Sequence, residues 1–462
     1  MISNSIYFNQ KNRVRHLSML FIDLILLYMF IFYLFVFFEL WPSISHFHIT
    51  LLSVISLTLL LFSFFITENK NGISASLLAY LILTQFGMSV IFYFFGRQSL
   101  ASFGDFTISF LTNEMYVKST CLANLAVFSY VFGARIGSKT KFRLPRKSIS
   151  KVEIKLVYYV GLTFLIFTLF YLLSYIYLGK IRIGMPYYEY LNSGIIDKFY
   201  PWLLLLYSLG LVFTISVADK SRQKIALLIF CFSGIIFFTT GNRGEVLYPT
   251  LAALGISYYK NRKIKLIHIA MVIGLVFILI PLIRITRHNG TMSIFNTLSM
   301  NTFDAIAEMG HQLRLSVLIL SDFADGTRDY LYGFSYLNPI VNIVDNFVPF
   351  NIRLKPPLSF NFESAFSGLG FSQVAESYAN FGVVGVLFYH FIISFFIRKS
   401  EIKEIEGHEL AFWGGVLVIL INATRNRFAF VLGQLLILTI IDFIIKVYLK
   451  TTNRTKQVTY ND

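Results

Sequence analysis

The chain has 462 residues, of which 56% are hydrophobic and only 14% are charged. Soluble proteins average about 25% charged residues, so this composition predicts an all-α polytopic membrane protein. The formal net charge is +16, but Lys and Arg lie in short clusters between apolar segments, which is typical of topology signals and disfavours nucleic-acid binding. Cys121 and Cys231 both fall within apolar segments and do not indicate a redox compartment.

Apolar segments of roughly 17 to 25 residues, the length of a helix that crosses a bilayer, occur about twelve times. They cover approximately residues 18–40, 48–66, 73–95, 115–136, 156–178, 201–218, 224–240, 245–259, 264–283, 381–397, 410–424 and 428–449. No small-residue cleavage site follows the first segment, so we interpret it as a retained helix and not a signal peptide.

The distribution of positive residues predicts the orientation of these spans. Most of the 40 Lys and Arg residues lie in alternate connections, the side that stays cytoplasmic. Both termini are therefore expected in the cytoplasm, and the chain in the cytoplasmic (inner) membrane. The sequence then divides into spans 1 to 9 within residues 1–283, a large extracytoplasmic loop at 284–380 between spans 9 and 10, and spans 10 to 12 with a cytoplasmic tail at 381–462.

The outward-facing loop is the long polar interval of the chain, and long loops on a rigid scaffold commonly carry function. Apolar residues recur at helical spacing from Asn301 to Leu320, which predicts one amphipathic helix with Asp304, Glu308, His311 and Arg314 on its other faces. Residues 336–350 are a second, less regular candidate for an interfacial helix.

Several short connections predicted on the outer side contain Arg, although positive residues are disfavoured there. The side chains in question are Arg243, Arg284, Arg287, Arg425 and Arg427. A guanidinium donates two parallel hydrogen bonds to phosphate, so this group indicates a lipid-linked phosphate or pyrophosphate ligand. The alternative is that each Arg extends to lipid head groups and has no further role.

Acidic and imidazole side chains near the same surface are candidates for proton transfer. Glu376 lies just before the tenth span and Glu245 at the start of the eighth, where either can accept a proton or pair with an Arg. His311 and Arg314 are alternatively the solvated face of an interfacial helix. Phosphate-binding loops, metal-ligand spacings and nucleophile elbows are absent from the sequence, which disfavours a nucleotide-driven pump, a membrane zinc protease and a serine hydrolase.

The motifs at residues 240–249, 368–378, 381–385 and 424–427, in this order, resemble those of the Wzy-type polymerases of O-antigen and capsular polysaccharide. The resemblance implies a glycosyltransferase whose donor is a growing glycan on undecaprenyl pyrophosphate and whose acceptor is one repeat unit on the same carrier. It implies no cofactor and no metal. Membrane lipid and a chain-length regulator protein are the other expected partners.

The resemblance also implies roles for the candidate residues. The five Arg residues and Glu245 are expected to bind the diphosphate-bearing substrate, while Glu376 or His311 is expected to act as the base, with Arg314 as a further catalytic candidate. Alternative functions are a ligase that transfers the glycan to another acceptor, a flippase of lipid-linked oligosaccharide, and a membrane O-acyltransferase. Aromatic residues from Tyr330 to Tyr336 are expected to contact sugar rings or to anchor the loop in the interface.

Overall fold

The computed structural model describes most of the chain in separate ranges. These are residues 21–67, 72–139, 149–182, 185, 187–194, 199–217, 219–242, 244–260, 303–337, 371–426 and 428–458. Within these ranges the regular structure is helical, and no β-strand occurs there. The expected all-α architecture is confirmed.

The described α-helices follow one another in this order: α1 Phe21–Phe37, α2 His46–Thr67, α3 Gly72–Phe95, α4 Asp105–Ile108, α5 Tyr116–Lys139, α6 Lys151–Tyr177, α7 Tyr187–Asn192, α8 Tyr200–Val217, α9 Lys220–Thr239, α10 Gly244–Lys260, α11 Asp304–Met309, α12 Leu313–Ala324, α13 Gln373–Ile402, α14 Gly407–Arg425 and α15 Ala429–Val458. Nine of the described helices are long and apolar enough to cross a membrane, and α1 is a shorter apolar helix. Ten of the twelve predicted apolar segments coincide with one of these helices, and the eighth coincides with α10, which has 17 residues and is not among them. The ninth, at 264–283, lies outside the described residues.

The helices pack as two groups that share the centre of the bundle. In the first group α5 lies along α13 and also contacts α2 and α3; in the second, α8 contacts α6, α10 and α14. α5 and α13 approach each other closely, and a Cβ on Gly133 would lie 2.3 Å from the carbonyl oxygen of Phe391. One turn later, a Cβ on Gly137 would lie 2.7 Å from the Phe395 oxygen. Small residues four apart thus permit contact between two helix backbones.

A buried carboxylate ties the start of α3 to the end of α13. Glu401 Oε1 accepts hydrogen bonds from the backbone N–H groups of Ile73 (2.7 Å) and Ser74 (3.1 Å), which have no partner inside their own helix. Its Oε2 pairs with Arg398 Nη1 at 3.1 Å, and both side chains are at most 4% exposed. The negative charge therefore stabilises a helix N-terminus and is balanced by a neighbouring guanidinium.

Helix α13 begins earlier than the predicted tenth span and contains a sharp bend. Its backbone leaves the helical region at Phe381 (φ −140°, ψ 21°) and Gly382 (φ 62°, ψ −151°). The left-handed conformation at Gly382 suits glycine, which has no Cβ to clash. Glu376, expected just before the span, therefore lies inside a short first arm of this helix, and the arm after the bend corresponds to the predicted span.

The predicted single amphipathic helix at Asn301–Leu320 is instead two helices, α11 and α12, separated by a break at Gly310. The alternative of a solvated face for His311 and Arg314 is wrong for Arg314, which is 5% exposed, and Asp304 and Glu308 are buried as well. α11 packs against α3, and α12 packs against α3, α5 and α13. The periodicity was correct, but neighbouring helices cover the polar face that the sequence pattern assigned to solvent.

Candidate functional site

The segment between α11 and α12 forms backbone hydrogen bonds with α3. In a regular helix the N–H of Met88 would donate to the carbonyl of Thr84. Here Met88 N–H donates to the carbonyl of Gly310 (3.3 Å), and the carbonyl of Thr84 accepts from the N–H of Gln312 (3.2 Å). A Cβ on Gly310 would lie 2.4 Å from Gly87 Cα, so this approach requires glycine on both sides. The insertion fixes the segment containing His311 and Gln312 in the interior.

Gln312 connects this break to the ends of α13 and α14. With its amide oriented to satisfy both neighbours, the nitrogen donates to the carbonyl of Phe371 (2.6 Å) and the oxygen accepts from Arg425 Nε (3.2 Å). A backbone hydrogen bond joins the same two segments, because Phe371 N–H donates to the Arg425 carbonyl at 2.8 Å. Gln312 is completely buried. The motifs at 368–378 and 424–427, far apart in sequence, are therefore adjacent.

Arg425 also contacts the start of α10. Its guanidinium hydrogen-bonds with the Tyr248 hydroxyl, and it interacts electrostatically with Tyr80 and Glu308. The rings of Tyr80 and Tyr248 meet edge to face at 6.0 Å. We call Tyr80, Tyr248, Glu308, Gln312 and Arg425 the Arg425 cluster. It joins α3, α10, the α11–α12 break and α14, and so includes the third sequence motif, at 240–249.

Glu376 lies beside this cluster and is 2% exposed. Its Oε1 accepts from the Ser335 hydroxyl (2.7 Å) and its Oε2 from the backbone N–H of Phe428 (3.0 Å). Asn380, one turn along the helix, donates to the Ser335 oxygen at 2.6 Å. These hydrogen bonds occupy both oxygens of the Glu376 carboxyl group. They fix the first arm of α13 to residues 333–337 and to the connection that follows Arg425.

The aromatic residues of the loop have different environments. Tyr336 donates to Ser377 Oγ at 3.0 Å and lies with its ring parallel to that of Tyr389, 6.0 Å between centroids. Burial, and then the negative charge of Glu376, raises the pKa of the Tyr336 hydroxyl above its ordinary value. Tyr332, by contrast, is 77% exposed. Tyr336 is thus a buried part of the site, and Tyr332 is the more accessible ring.

His311 and Arg314 are one helical turn apart and differ in exposure. The His311 ring is partly exposed, and its Nδ1 lies 2.6 Å from the carbonyl oxygen of Glu308. A carbonyl only accepts hydrogen bonds, so Nδ1 carries the proton and Nε2 of the neutral ring is the acceptor. Arg314 is 5% exposed, and this burial lowers the pKa of its guanidinium, although an Arg remains charged at neutral pH.

The remaining sequence candidates fall in two groups. Glu245 lies in the first turn of α10, half-buried and three residues before Tyr248. Arg243, Arg284, Arg287 and Arg427 lie outside the described residues. Among the residues described, no group of three or more His, Cys, Asp or Glu side chains is arranged to hold a metal ion.

Sequence reasoning missed Gln85, Gln312 and Ser335. Gln85 is fully buried in α3, where its Nε2 donates to Ser372 Oγ at 3.2 Å. Its Oε1 has no hydrogen-bond partner within the described part of the chain, and the same is true of the buried Nε2 of Gln373. Buried polar atoms are normally paired, and these two lie at the motif of residues 368–378. A Gln inside an apolar segment was the signal available for Gln85.

Comparisons with known proteins give a consistent result. The model of the family described as O-antigen polysaccharide polymerase Wzy matches residues 19–457. Protein CapE of Staphylococcus aureus is 30% identical over 391 residues, covering 82% of this chain and 86% of that protein. No solved structure matches the chain significantly.

Proposed function

The chain belongs to the Wzy family of O-antigen polysaccharide polymerases, and from this premise we propose which substrate it uses and which residues act on it. It is a multi-pass membrane protein that polymerises the repeat units of an O-antigen or capsular polysaccharide. The family match favours this activity over the ligase and flippase alternatives. As the donor we propose a glycan on undecaprenyl pyrophosphate, used at the outer face of the cytoplasmic membrane with both termini inside.

The observation that carries the proposed site is the position of Arg425. A guanidinium within a helical bundle is costly and commonly functional. Residues of three sequence motifs lie together at Arg425. Arg425, from the motif at 424–427, hydrogen-bonds with Tyr248 of the motif at 240–249, and its carbonyl accepts from Phe371 of the motif at 368–378. Glu376, from that last motif, accepts a hydrogen bond from the N–H of Phe428. Arg425 would bind the diphosphate of the donor. Arg243, Arg284, Arg287 and Arg427, with Glu245, are proposed as further contacts to the same substrate, and a chain-length regulator as a partner.

The reaction breaks one bond and forms one. The oxygen of an acceptor sugar hydroxyl attacks the anomeric carbon of the donor glycan, forming the new glycosidic bond. The bond from that carbon to the diphosphate oxygen breaks, and the electron pair leaves with undecaprenyl pyrophosphate. Arg425 stabilises the negative charge that develops on the leaving oxygen, so its interaction strengthens in the transition state.

We propose that Nε2 of His311 accepts the proton of the attacking sugar hydroxyl. The Glu308 carbonyl selects the tautomer in which Nε2 is the acceptor, and Gln312, the next residue, contacts Arg425 directly. Glu376 is the less suitable base, because both of its oxygens already accept hydrogen bonds from the protein. It is proposed as a positioning residue that holds the first arm of α13 beside Arg425, and the buried Arg314 supports the α11–α12 break.

The test uses purified full-length protein with a synthetic repeat unit on undecaprenyl pyrophosphate. Arg425→Lys keeps a positive charge but loses the planar fork, whereas Arg425→Ala loses both. We expect Arg425→Ala to lower the rate of chain extension by roughly 10²-fold to 10³-fold, the range for loss of one transition-state donor, and Arg425→Lys to be intermediate. Product length is read on a gel as a ladder of repeat units.

Arg222→Ala is the matched control. Arg222 lies at the start of α9, where its guanidinium stacks over the Tyr158 ring at 5.8 Å. It should give a normal ladder. A normal ladder from Arg425→Ala would refute the assignment of the diphosphate to this residue, and products only on a lipid acceptor other than the repeat-unit carrier would refute polymerisation.

A further inference from the structure

A large apolar cavity lies between α1, α5 and α13. Its volume is about 840 Å³, within the range of about 300–1,000 Å³ typical of ligand sites. Aromatic and aliphatic side chains from these three helices and from α2 form its walls. They include Phe30, Leu60, Phe128, Phe132, Leu387 and Phe388. Phe132 and Phe388 are 59% and 65% exposed at the edge of the bundle, so the cavity opens sideways toward lipid.

One end of this cavity is polar. Arg135, Lys139 and Asp23 line it, together with Ser138. Arg135 Nη1 pairs with Asp23 Oδ1 at 2.6 Å, and its Nη2 donates to the hydroxyl of Ser63. The Nε of Arg135 is buried and has no hydrogen-bond partner in the ranges that the structure describes. Two cations and one anion therefore meet at this end, and one guanidinium donor is still available.

The polar end is separate from the proposed polymerisation site. α5 and α13 run side by side in the same direction, because Gly133 contacts Phe391 and Gly137 contacts Phe395. Arg135 is thus level with the middle of the second arm of α13. The first arm, which contains Glu376, folds back beside Gly385, where a Cβ would lie 2.3 Å from the Ser377 carbonyl oxygen. About eight helical residues separate Gly385 from the level of Arg135, which at 1.5 Å per residue is roughly 12 Å. A ligand group at Arg135 would not be the diphosphate that Arg425 holds.

The chemistry of the two parts defines the ligand. Long apolar walls that end in a basic group between membrane helices match a lipid with an anionic head group. By the distribution of Lys and Arg, this end faces the cytoplasmic leaflet, where residues 139–155 are strongly basic. Asp23 is 49% exposed and can move aside, and the head-group phosphate would then accept from the available Nε.

We propose that this cavity binds an anionic phospholipid, with its phosphate at Arg135 and Lys139 and its acyl chains along the aromatic walls. The lipid would fill the space between α1 and the α5–α13 pair. It would hold α1, which contacts α5 here through the Asp23–Arg135 pair and through the rings of Phe30 and Phe128, 6.0 Å between centroids. This site is independent of the polymerisation activity proposed above.

The experiment measures lipid binding to the purified full-length protein by native mass spectrometry. Phosphatidylglycerol and phosphatidylcholine with identical acyl chains are compared, so that only the head-group charge differs. Each nearby cation contributes roughly fivefold in affinity, and two of them predict a preference of roughly 25-fold for phosphatidylglycerol. Arg135→Gln with Lys139→Gln should abolish this preference. Lys139→Gln alone, an exposed position that leaves the fold intact, should reduce it roughly fivefold.

Two further variants separate a binding site from a structural ion pair. Asp23→Asn removes the anion that competes with the phosphate, so the preference should be kept or increased. Arg222→Gln with Lys224→Gln removes a basic pair away from the cavity and should change nothing. The proposal is overturned by equal binding of both lipids to the wild-type protein. It is also overturned if Asp23→Asn loses the preference as fully as the Arg135 and Lys139 double variant, or if undecaprenyl phosphate displaces phosphatidylglycerol from the cavity.

Discussion

Arg425 shows how single residues make a polar site inside an apolar bundle. Its guanidinium is surrounded by the phenol of Tyr248 in α10, the amide oxygen of Gln312 in the α11–α12 break and the carboxylate of Glu308 in α11. A buried charge is tolerated only when such partners compensate for lost hydration. The backbone also participates, because the Arg425 carbonyl accepts from Phe371. The position of this residue is therefore determined twice, by its side chain and by its main chain.

At this scale the assignment of His311 as the base predicts a change in the pH dependence of activity. A base must be deprotonated to accept a proton, so the wild-type rate should rise with pH as the imidazole loses its proton. His311→Gln keeps a polar side chain but cannot accept that proton efficiently. We expect its turnover to fall by roughly 10²-fold to 10⁴-fold, the usual range for loss of a general base, and the acid limb of the profile to disappear. Turnover against pH, measured with saturating substrate, tests this.

Glu376→Gln supplies the contrast. The amide oxygen can accept from the Phe428 N–H while the NH₂ group donates to the Ser335 oxygen, but the Ser335 hydroxyl proton then loses its acceptor, which leaves one buried hydrogen bond unmade. We expect a lower thermal stability and a raised KM, with the acid limb retained. If Glu376→Gln removes the acid limb and His311→Gln retains it, the two roles are exchanged.

At the scale of elements, the bundle depends on glycines where helices touch. Gly133 and Gly137 place α5 directly against the backbone of α13, and Gly87 and Gly310 do the same for α3 and the α11–α12 break. The second contact is the one that inserts His311 and Gln312 into the site. Helix packing and site geometry are thus determined by the same kind of residue.

The α5–α13 contact predicts a clear difference between two helical glycines. A Cβ at Gly133 would lie 2.3 Å from the Phe391 carbonyl oxygen, a backbone atom that cannot move freely. Overpacking of this kind costs about 1–3 kcal/mol, so Gly133→Ala should unfold at a lower temperature. At Gly234 in α9 the nearest atoms would be 3.5 Å away. Gly234→Ala should therefore be neutral or stabilising, since Ala is the better helix former. A thermal unfolding scan of both variants, monitored by tryptophan fluorescence, would contradict this if Gly133→Ala were as stable as Gly234→Ala.

At the scale of the whole molecule, the charge distribution predicts which end of the bundle faces the cytoplasm. Asp329, after α12, is expected outside, and Glu406, between α13 and α14, inside. Both are exposed. In a Cys231→Ser background, where Cys121 is fully buried, Asp329→Cys should react with an impermeant thiol reagent in intact cells. Glu406→Cys should react only after permeabilisation. The opposite pattern would reverse the orientation and move the proposed polymerisation site to the cytoplasmic face.

The sequence alone determined the membrane class, the helical architecture and the position of nearly every apolar span, because bilayer thickness imposes a length and an apolar composition that can be read locally. It also identified the motifs at 240–249, 368–378 and 424–427. The sequence did not show that these three motifs are adjacent in the folded protein. Their meeting depends on contacts between residues far apart in the chain, such as Gln312 with Arg425 and Glu376 with Phe428. It also did not reveal that the polar face of residues 304–314 is buried, because the periodicity of a helix shows which residues share a face but not what covers it. Only the tertiary structure determines whether that face is buried, since this depends on which other helices pack against it.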